Sequence, residues 1–208
     1  MEEKKYRLIE EETIEVGSHT LYRIEALRDF SDVKAGDKGG FIEHEDNLSH
    51  EDNCWVYDDA KVYDNAMVFI DAVVFEHAKV CGDVYVCENA KVYGNAMVYD
   101  NAEVCGDTRV CGESKVSGNA KVYGNACLYG NAKVEATKDY IVFKNWWSSG
   151  RYFTWTRSNN MWRVGCFYGT GEELIKKAYK DSEQSGREYE RVVKYVEEIL
   201  SEEQASIK

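Results

Sequence analysis

From Val56 to Val134 a branched aliphatic residue occupies every sixth position, with Leu128 the one substitute for valine. The residue two places earlier is small in nearly every case, as in Ala60-Lys61-Val62, Ala90-Lys91-Val92 and Ala120-Lys121-Val122. Strand alternation puts the small residue and the valine on one side of the chain and the residues around them on the other. The pair that follows, usually Gly or Asp and then Asn or Asp, is corner chemistry. Glycine takes positive φ at little cost, and Asn and Asp bond their own backbone in tight turns. The unit A-x-V-x-[GD]-[ND] recurs fourteen times without a slip. A unit this short buries its apolar edge only by stacking on copies of itself, which predicts a solenoid. Three units close a triangular coil, and parallel pairing at ~4.8 Å makes roughly 4.7 coils into a prism on the order of 22 Å long. Corner Asn side chains are then placed to hydrogen-bond along the axis.

Positions eighteen apart lie over one another, so the outward residues sort into three walls. The first carries Trp55, Tyr57, Val73, Phe75, Lys91, Tyr93, Arg109, Cys111, Cys127 and Tyr129. The second carries a lysine ladder, Lys61, Lys79, Lys115 and Lys133, expected to be a solvated face that suppresses lateral aggregation. The third carries Met67, Phe69, Tyr85, Cys87, Glu103, Cys105, Lys121 and Tyr123. The apolar N-terminal ends of the first and third walls require a cover. A homotrimer packed about an axis parallel to the prism would supply it, with Trp55, Tyr57, Val73, Phe75, Met67, Phe69 and Tyr85 as interface residues. The other source of cover is the chain itself, its N-terminal segment or C-terminal module folding back.

Beyond Val134 the period stops and the pattern becomes aromatic and alternating. Asp139–Trp147, Arg151–Arg157 and Met161–Phe167, separated by Ser148-Ser149-Gly150 and Ser158-Asn159-Asn160, predict a three-stranded antiparallel meander. Thr170-Gly171-Glu172-Glu173 matches a capping box, opening a first helix that ends near Gly186. A second helix, with Tyr189, Val192, Val193, Val196, Ile199 and Leu200 on its apolar stripe, is expected to reach about Ser201. The organisation is therefore a capping segment over 1–53, the solenoid over 54–137 and an α+β module over 138–208.

The chain of 208 residues has a net charge of −12, which disfavours general binding to nucleic acid or to anionic membranes. No apolar run is long enough to span a bilayer, and Met1 is followed by Glu2, Glu3, Lys4 and Lys5, so the expectation is a soluble, cytoplasmic protein. Seven cysteines with no CxxC pair argue for reduced thiols. Cys87 and Cys105 stack on adjacent coils within disulfide or metal-bridging reach, but are expected to be two thiols filling ladder positions. The acidic background makes one region stand out. Residues 138–171 carry Lys138, Lys144, Arg151, Arg157 and Arg163 against Asp139, interleaved with Trp147, Trp155 and Trp162. Arginines and indoles in this mixture hold phosphates or stack on bases, so these six residues, Arg151, Arg157, Arg163, Trp147, Trp155 and Trp162, are the candidate ligand-binding set. The competing expectation is that the tryptophans form the meander's core and the arginines pair with the acidic helices. His77 alone among four histidines lies in the repeat, in a corner slot, while His19, His44 and His50 lie in the lead-in, so no zinc site is expected.

The hexapeptide period, with the lead-in Leu21–Phe30, Asp32–Ile42 and Asn47-Leu48-Ser49 and the tail stretch Gly165–Thr170, resembles the hexapeptide-repeat, left-handed parallel β-helix proteins. Within that class it is similar to bacterial and phage members labelled as transferases. The resemblance implies a mainly β, single-stranded left-handed β-helix and a trimer. It also implies a CoA-dependent acyltransferase as one functional class, with His77 as general base and acetyl-CoA as donor. The acyltransferase repeat carries glycine directly after the aliphatic residue, whereas here glycine comes two places after it, as in Val92-Tyr93-Gly94-Asn95. No insertion breaks the fourteen repeats, and long loops are where function is usually built. The leading expectation is therefore a non-catalytic binding or scaffold protein without cofactor or metal. It would be a trimeric spacer presenting the aromatic and basic module to a protein or small anionic ligand such as a nucleotide. A phage accessory factor that interferes with a host protein is one form of this. The acyltransferase is the alternative.

Overall fold

In the computed structural model, which describes residues 4–206, the hexapeptide units form fourteen two-residue strands, β4 (Trp55–Val56) to β17 (Lys133–Val134). They wind into a parallel β-solenoid with three walls. The first wall stacks Trp55, Val73, Lys91, Arg109 and Cys127 in register, and the third stacks Met67, Tyr85, Glu103 and Lys121. Each step along a wall is eighteen residues, as the period requires. Every valine of the series and every alanine two places before it lies in the core at no more than 1% exposure. Where Thr108 and Ser114 replace that alanine, their hydroxyls donate to the carbonyls of Cys105 and Cys111 at 2.7 Å, so the buried oxygens are satisfied.

The corners turn as the sequence implies. The first corner residue of each unit is left-handed, from Asp58 (φ 55°) to Gly130 (φ 69°), and even Ile70 adopts φ 61°. At Gly82 the choice of glycine is also steric, since a Cβ would lie 2.6 Å from the Asp100 carbonyl of the next coil. Axial bonds join the corners: Asn53 and Asn65 donate to Asp71 and Asp83 at 2.8 Å, and the Asp58 and Asp100 carboxylates accept from the backbone N–H of Glu76 and Gly118.

Both ends of the solenoid are closed by the chain's own termini. β1 (Tyr6–Val16) and β2 (His19–Ala26) form a hairpin, and β3 (Lys38–Ile42) pairs antiparallel with β2 and parallel with Lys61–Val62. The second wall thus grows into an eight-stranded sheet, and its lysine row begins beneath this cover. Leu48 bridges Val68, adding an irregular coil before the regular ones. Lys5 is fully buried and donates to the carbonyls of Glu51 and Cys54 at 3.1 and 2.9 Å, and Asn47 donates to those of Asp64 and Ala66. At the other end the module substitutes side-chain oxygens for a further coil. The Cys127 N–H donates to Thr154 Oγ1 at 2.9 Å, the Lys133 N–H to Ser158 Oγ at 2.7 Å and the Tyr123 N–H to the Tyr140 hydroxyl at 3.1 Å.

The module differs from the sequence expectation in three respects. Its antiparallel sheet has four strands, β18 (Tyr140–Lys144), β19 (Tyr152–Thr156), β20 (Met161–Val164) and β21 (Phe167–Gly169), because the Gly165-Cys166 turn folds Phe167–Gly169 back onto β20. Helix α1 (Gly171–Asp181) stops well before Gly186. Ser182 turns extended and its hydroxyl accepts from the Ser185 N–H, which starts α2 (Glu183–Ser206). Gly186 lies inside α2, where a Cβ would meet the Tyr179 ring at 2.2 Å, and α2 runs past Ser201 to Ser206. The capping box forms as read, with Thr170 and Glu173 bonding each other's backbone N–H. Cysteine pairing also differs. Cys87 and Cys105 are joined by a disulfide, because coil stacking brings their Cα atoms to 4.7 Å. None of the described helices is long and apolar enough to cross a membrane.

Candidate functional site

Of the ligand-binding candidates, the tryptophans belong to the module core. Trp155 and Trp162 are 1% exposed, packed with Phe153, Leu174, Tyr189 and Val193, and the Trp155 indole N–H donates to Asn160. Neither indole face is open to a base, which corrects the expectation that they stack on a ligand. Trp147 packs edge-on against Tyr189 at 4.9 Å and extends the same core. The arginines divide. Arg157 is held by Glu203 at 2.5 Å and Asp139 at 3.8 Å, so it pins the end of α2 to the sheet and is not a free anion receptor. Arg151 and Arg163, by contrast, line a cleft of about 590 Å³ between the module and the first wall, and Arg109 of the solenoid joins them.

This cleft is built by three local structures. Arg109 points outward from the penultimate coil of the first wall and is exposed. Arg151 follows the Gly150 turn that leads into β19. Arg163 leaves β20 toward the solenoid, its guanidinium 4.3 Å from the Tyr129 ring centre. The rest of the lining is Asp107, Asn125, Ala126, Cys127, Tyr152 and Gly165, so three guanidiniums face a single carboxylate. The Arg163 Nε is buried without a hydrogen-bond partner.

Cys127 forms part of the floor. The buried Cys111 thiol lies beside it and donates to the Leu128 carbonyl at 3.5 Å. Its interaction with the neighbouring Cys111 thiol holds the Cys127 thiol below the usual thiol range. Burial opposes this, and Arg163 and Arg109 reinforce it. Cys111 is pushed strongly up, first by Cys127 and then by its own burial. The sequence sorting had put Arg109, Cys111 and Cys127 on one wall. That shared row was the available signal for this site, and the docking of the module completes it.

His77 stands on an exposed corner with its Nδ1 4.0 Å from Asp59, in an axial ladder position like its neighbours. The interface candidates also divide. Trp55 is 1% exposed, covered by Phe30 and Tyr6, and Tyr57 donates to Asp32 at 2.7 Å, so the lead-in covers the start of the first wall. Val73 and Phe75 are half-buried and line a shallow groove of about 580 Å³ with Asp32, Asp58, Asp71 and Lys91. On the third wall Phe69 is half-buried against Tyr85, while Met67 and Tyr85 themselves remain 40% and 46% exposed.

A second cluster was not visible in the sequence. His19 at the start of β2, Glu43 just after β3 and Asp64 at a solenoid corner meet at the end of three adjacent strands. His19 Nδ1 lies 3.0 Å from Glu43 and Nε2 3.3 Å from Asp64. Both ring nitrogens face carboxylates, which suits an imidazolium donating twice. The Glu43 hydrogen bond is the main reason its pKa is raised. The three side chains are also close enough to share a cation, but with both ring nitrogens so engaged the geometry is that of an ion-paired clasp.

A family model described as the YdcK Beta solenoid repeat matches residues 90–106, just under one coil in the middle of the prism. The match agrees with the winding found in the structure. The chain is a β-solenoid repeat protein. No curated protein matches it. The similarity covers the scaffold alone, and function has to be argued from the site.

Proposed function

We propose that this β-solenoid protein is a non-catalytic binding protein that receives a small anionic ligand, phosphate- or carboxylate-bearing, in the cleft between solenoid and module. The observation that carries this reading is the convergence of Arg109, Arg151 and Arg163, from two separate parts of the fold, on one concavity with only Asp107 opposed. Guanidinium forks match carboxylate and phosphate oxygens in pairs, and a low-dielectric wall strengthens each bond. The rigid solenoid fixes Arg109, and the bonds that Thr154 and Ser158 accept from the last coil fix the module relative to it. The ligand would be a nucleotide or similarly sized anion. The exposed third wall around Met67 and Tyr85 would take further copies of the chain in a homotrimer.

Thermal shift with nucleotides, pyrophosphate and acetyl-CoA tests the cleft. A ligand at 100 times its Kd adds about 2.7 kcal/mol to native stability, so a bound anion should raise Tm measurably. Arg109→Ala with Arg151→Ala, both exposed positions, should remove the shift and leave the unliganded Tm nearly unchanged. A panel in which no anion stabilises the protein, or a double variant that keeps the full shift, overturns the reading. Stabilisation by acetyl-CoA that is lost in His77→Ala would favour the acyltransferase instead.

A further inference from the structure

We propose that Cys127 is a covalent capture site for a small anionic disulfide held by the cleft's arginines, a reading that rests on the anion-binding cleft proposed above. Cys127 is half-buried and lines the cleft itself, so an incoming molecule bound to Arg109, Arg151 and Arg163 lies against its sulfur. Two of those arginines act on the sulfur directly. Cys111 stays buried, with its thiol donating to the Leu128 carbonyl, so it does not compete with Cys127 for the ligand. Three features that promote thiol reactivity therefore meet at one residue: access, adjacent cations and a receptor for an anionic partner. The other cysteines lack this combination. Cys54 is buried beside Lys5, with burial pushing its thiol up, and Cys166 is exposed on a turn outside the lining.

The step is a thiol–disulfide exchange. The Cys127 thiolate attacks one sulfur of R–S–S–R, the new bond Cys127 Sγ–S–R forms as the S–S bond of the ligand breaks, and the second half leaves as the thiolate RS⁻. The attacking form is the thiolate, so a proton held by Cys127 at rest passes to solvent before the exchange. Cys127 is oxidised to the mixed disulfide while the departing sulfur is reduced. Carboxylates on R give the arginines of the cleft their hold.

The test uses the full chain with Cys166→Ser as the reference, since Cys166 is the exposed competitor. Its reaction with dianionic 5,5′-dithiobis(2-nitrobenzoate) is compared with that of neutral 4,4′-dithiodipyridine, followed by absorbance, and the adduct is located by peptide mass mapping. The expected result is one fast adduct at Cys127, formed roughly tenfold or more faster with the anionic reagent after correction for each reagent's reactivity with a free thiol. Arg151→Ala, which removes a cleft cation that does not act on the sulfur, should reduce that preference but leave the neutral reaction in place. Arg163→Gln should move the pH midpoint of the rate upward. An adduct mapped to another cysteine, or equal corrected rates for the two reagents, overturns the proposal. In parallel, Cys127→Ser is tested for stabilisation by pyrophosphate, which needs no thiol. A retained shift with no Cys127 adduct sinks covalent capture alone, whereas a lost shift in both proteins removes the anion cleft on which it stands.

Discussion

At the scale of single residues, His19 is the group whose chemistry can be read most directly from its surroundings. Its two ring nitrogens face Glu43 and Asp64, and the Glu43 bond raises its pKa above the ordinary histidine value. Partial burial pushes Glu43 up, but the His19 ring and the Asp64 N–H outweigh it and hold Glu43 below the usual carboxylate range. The two shifts have opposite consequences for stability. With its folded pKa raised, His19 contributes fully below about pH 6.5, and the contribution is lost as pH rises through the folded value. With its folded pKa lowered, Glu43 contributes above about pH 4.3 and loses that contribution as pH falls through its folded value. The hairpin should therefore be clasped most firmly in mildly acidic solution. Proton NMR titration is expected to place the His19 midpoint above about 6.5 in the native protein and to return it toward that value in Glu43→Gln. A His19 midpoint unmoved by Glu43→Gln would contradict the clasp. Arg157 illustrates the limit of sequence reading at this scale. Its place among tryptophans suggested a ligand contact, but Glu203, forty-six residues away, occupies it, and no local pattern encodes such a pair.

Elements defined by local spacing were legible, and those defined by docking were not. All fourteen strands, their inward Ala and Val residues and the left-handed corners follow from a period that each unit carries in itself. The fourth strand of the module was missed because Phe167–Gly169 is only three residues long and follows a two-residue turn. Ser182 was overlooked as a cap because Gly186 offered the stronger breaker signal, whereas that glycine serves the close approach of Tyr179. The cover over Trp55 and the pairing of Thr154 with the last coil depend on aperiodic segments meeting periodic ones, and periodicity is silent about them. The last coil still has to satisfy its edge, and this makes the cap testable. Thr154 is 1% exposed and accepts the Cys127 N–H at 2.9 Å, whereas Ser158 accepts the Lys133 N–H at an exposed position. Thr154→Val keeps shape but orphans a donor, and should cost about 1–3 kcal/mol. Ser158→Ala lets water take the Lys133 N–H and should cost no more than about 0.5 kcal/mol. Urea unfolding of the two variants checks the ordering, and a Ser158→Ala loss equal to that of Thr154→Val would show that the solenoid edge is not sealed as described.

For the whole molecule, the walls differ in what covers them, and that difference bears on assembly. The first wall is closed by the lead-in at Trp55 and by the module near Cys127, and the second continues into the hairpin sheet. Along the third wall Met67 and Tyr85 stay open beside the half-buried Phe69, and Ile70 is 37% exposed at the adjoining corner. Four large apolar side chains clustered at one end of a flat wall are an unusual exposure for a monomer. Farther along, the same wall becomes polar, with Lys121 and Tyr123 both bonded to Glu103, so the sticky region is confined to its N-terminal half. A closed ring of copies buries such a patch on each subunit without leaving an edge, which is why the proposed trimer is placed here and not on the first wall. Multi-angle light scattering at micromolar concentration is expected to give about three times the 23.9 kDa chain mass. Met67→Lys with Tyr85→Lys, exposed positions whose change leaves the core valines untouched, should return the mass to one chain while the unfolding midpoint shifts only by the lost association. A native protein that runs at 23.9 kDa overturns the trimer, and a trimer unaffected by the two lysines moves the interface to another wall.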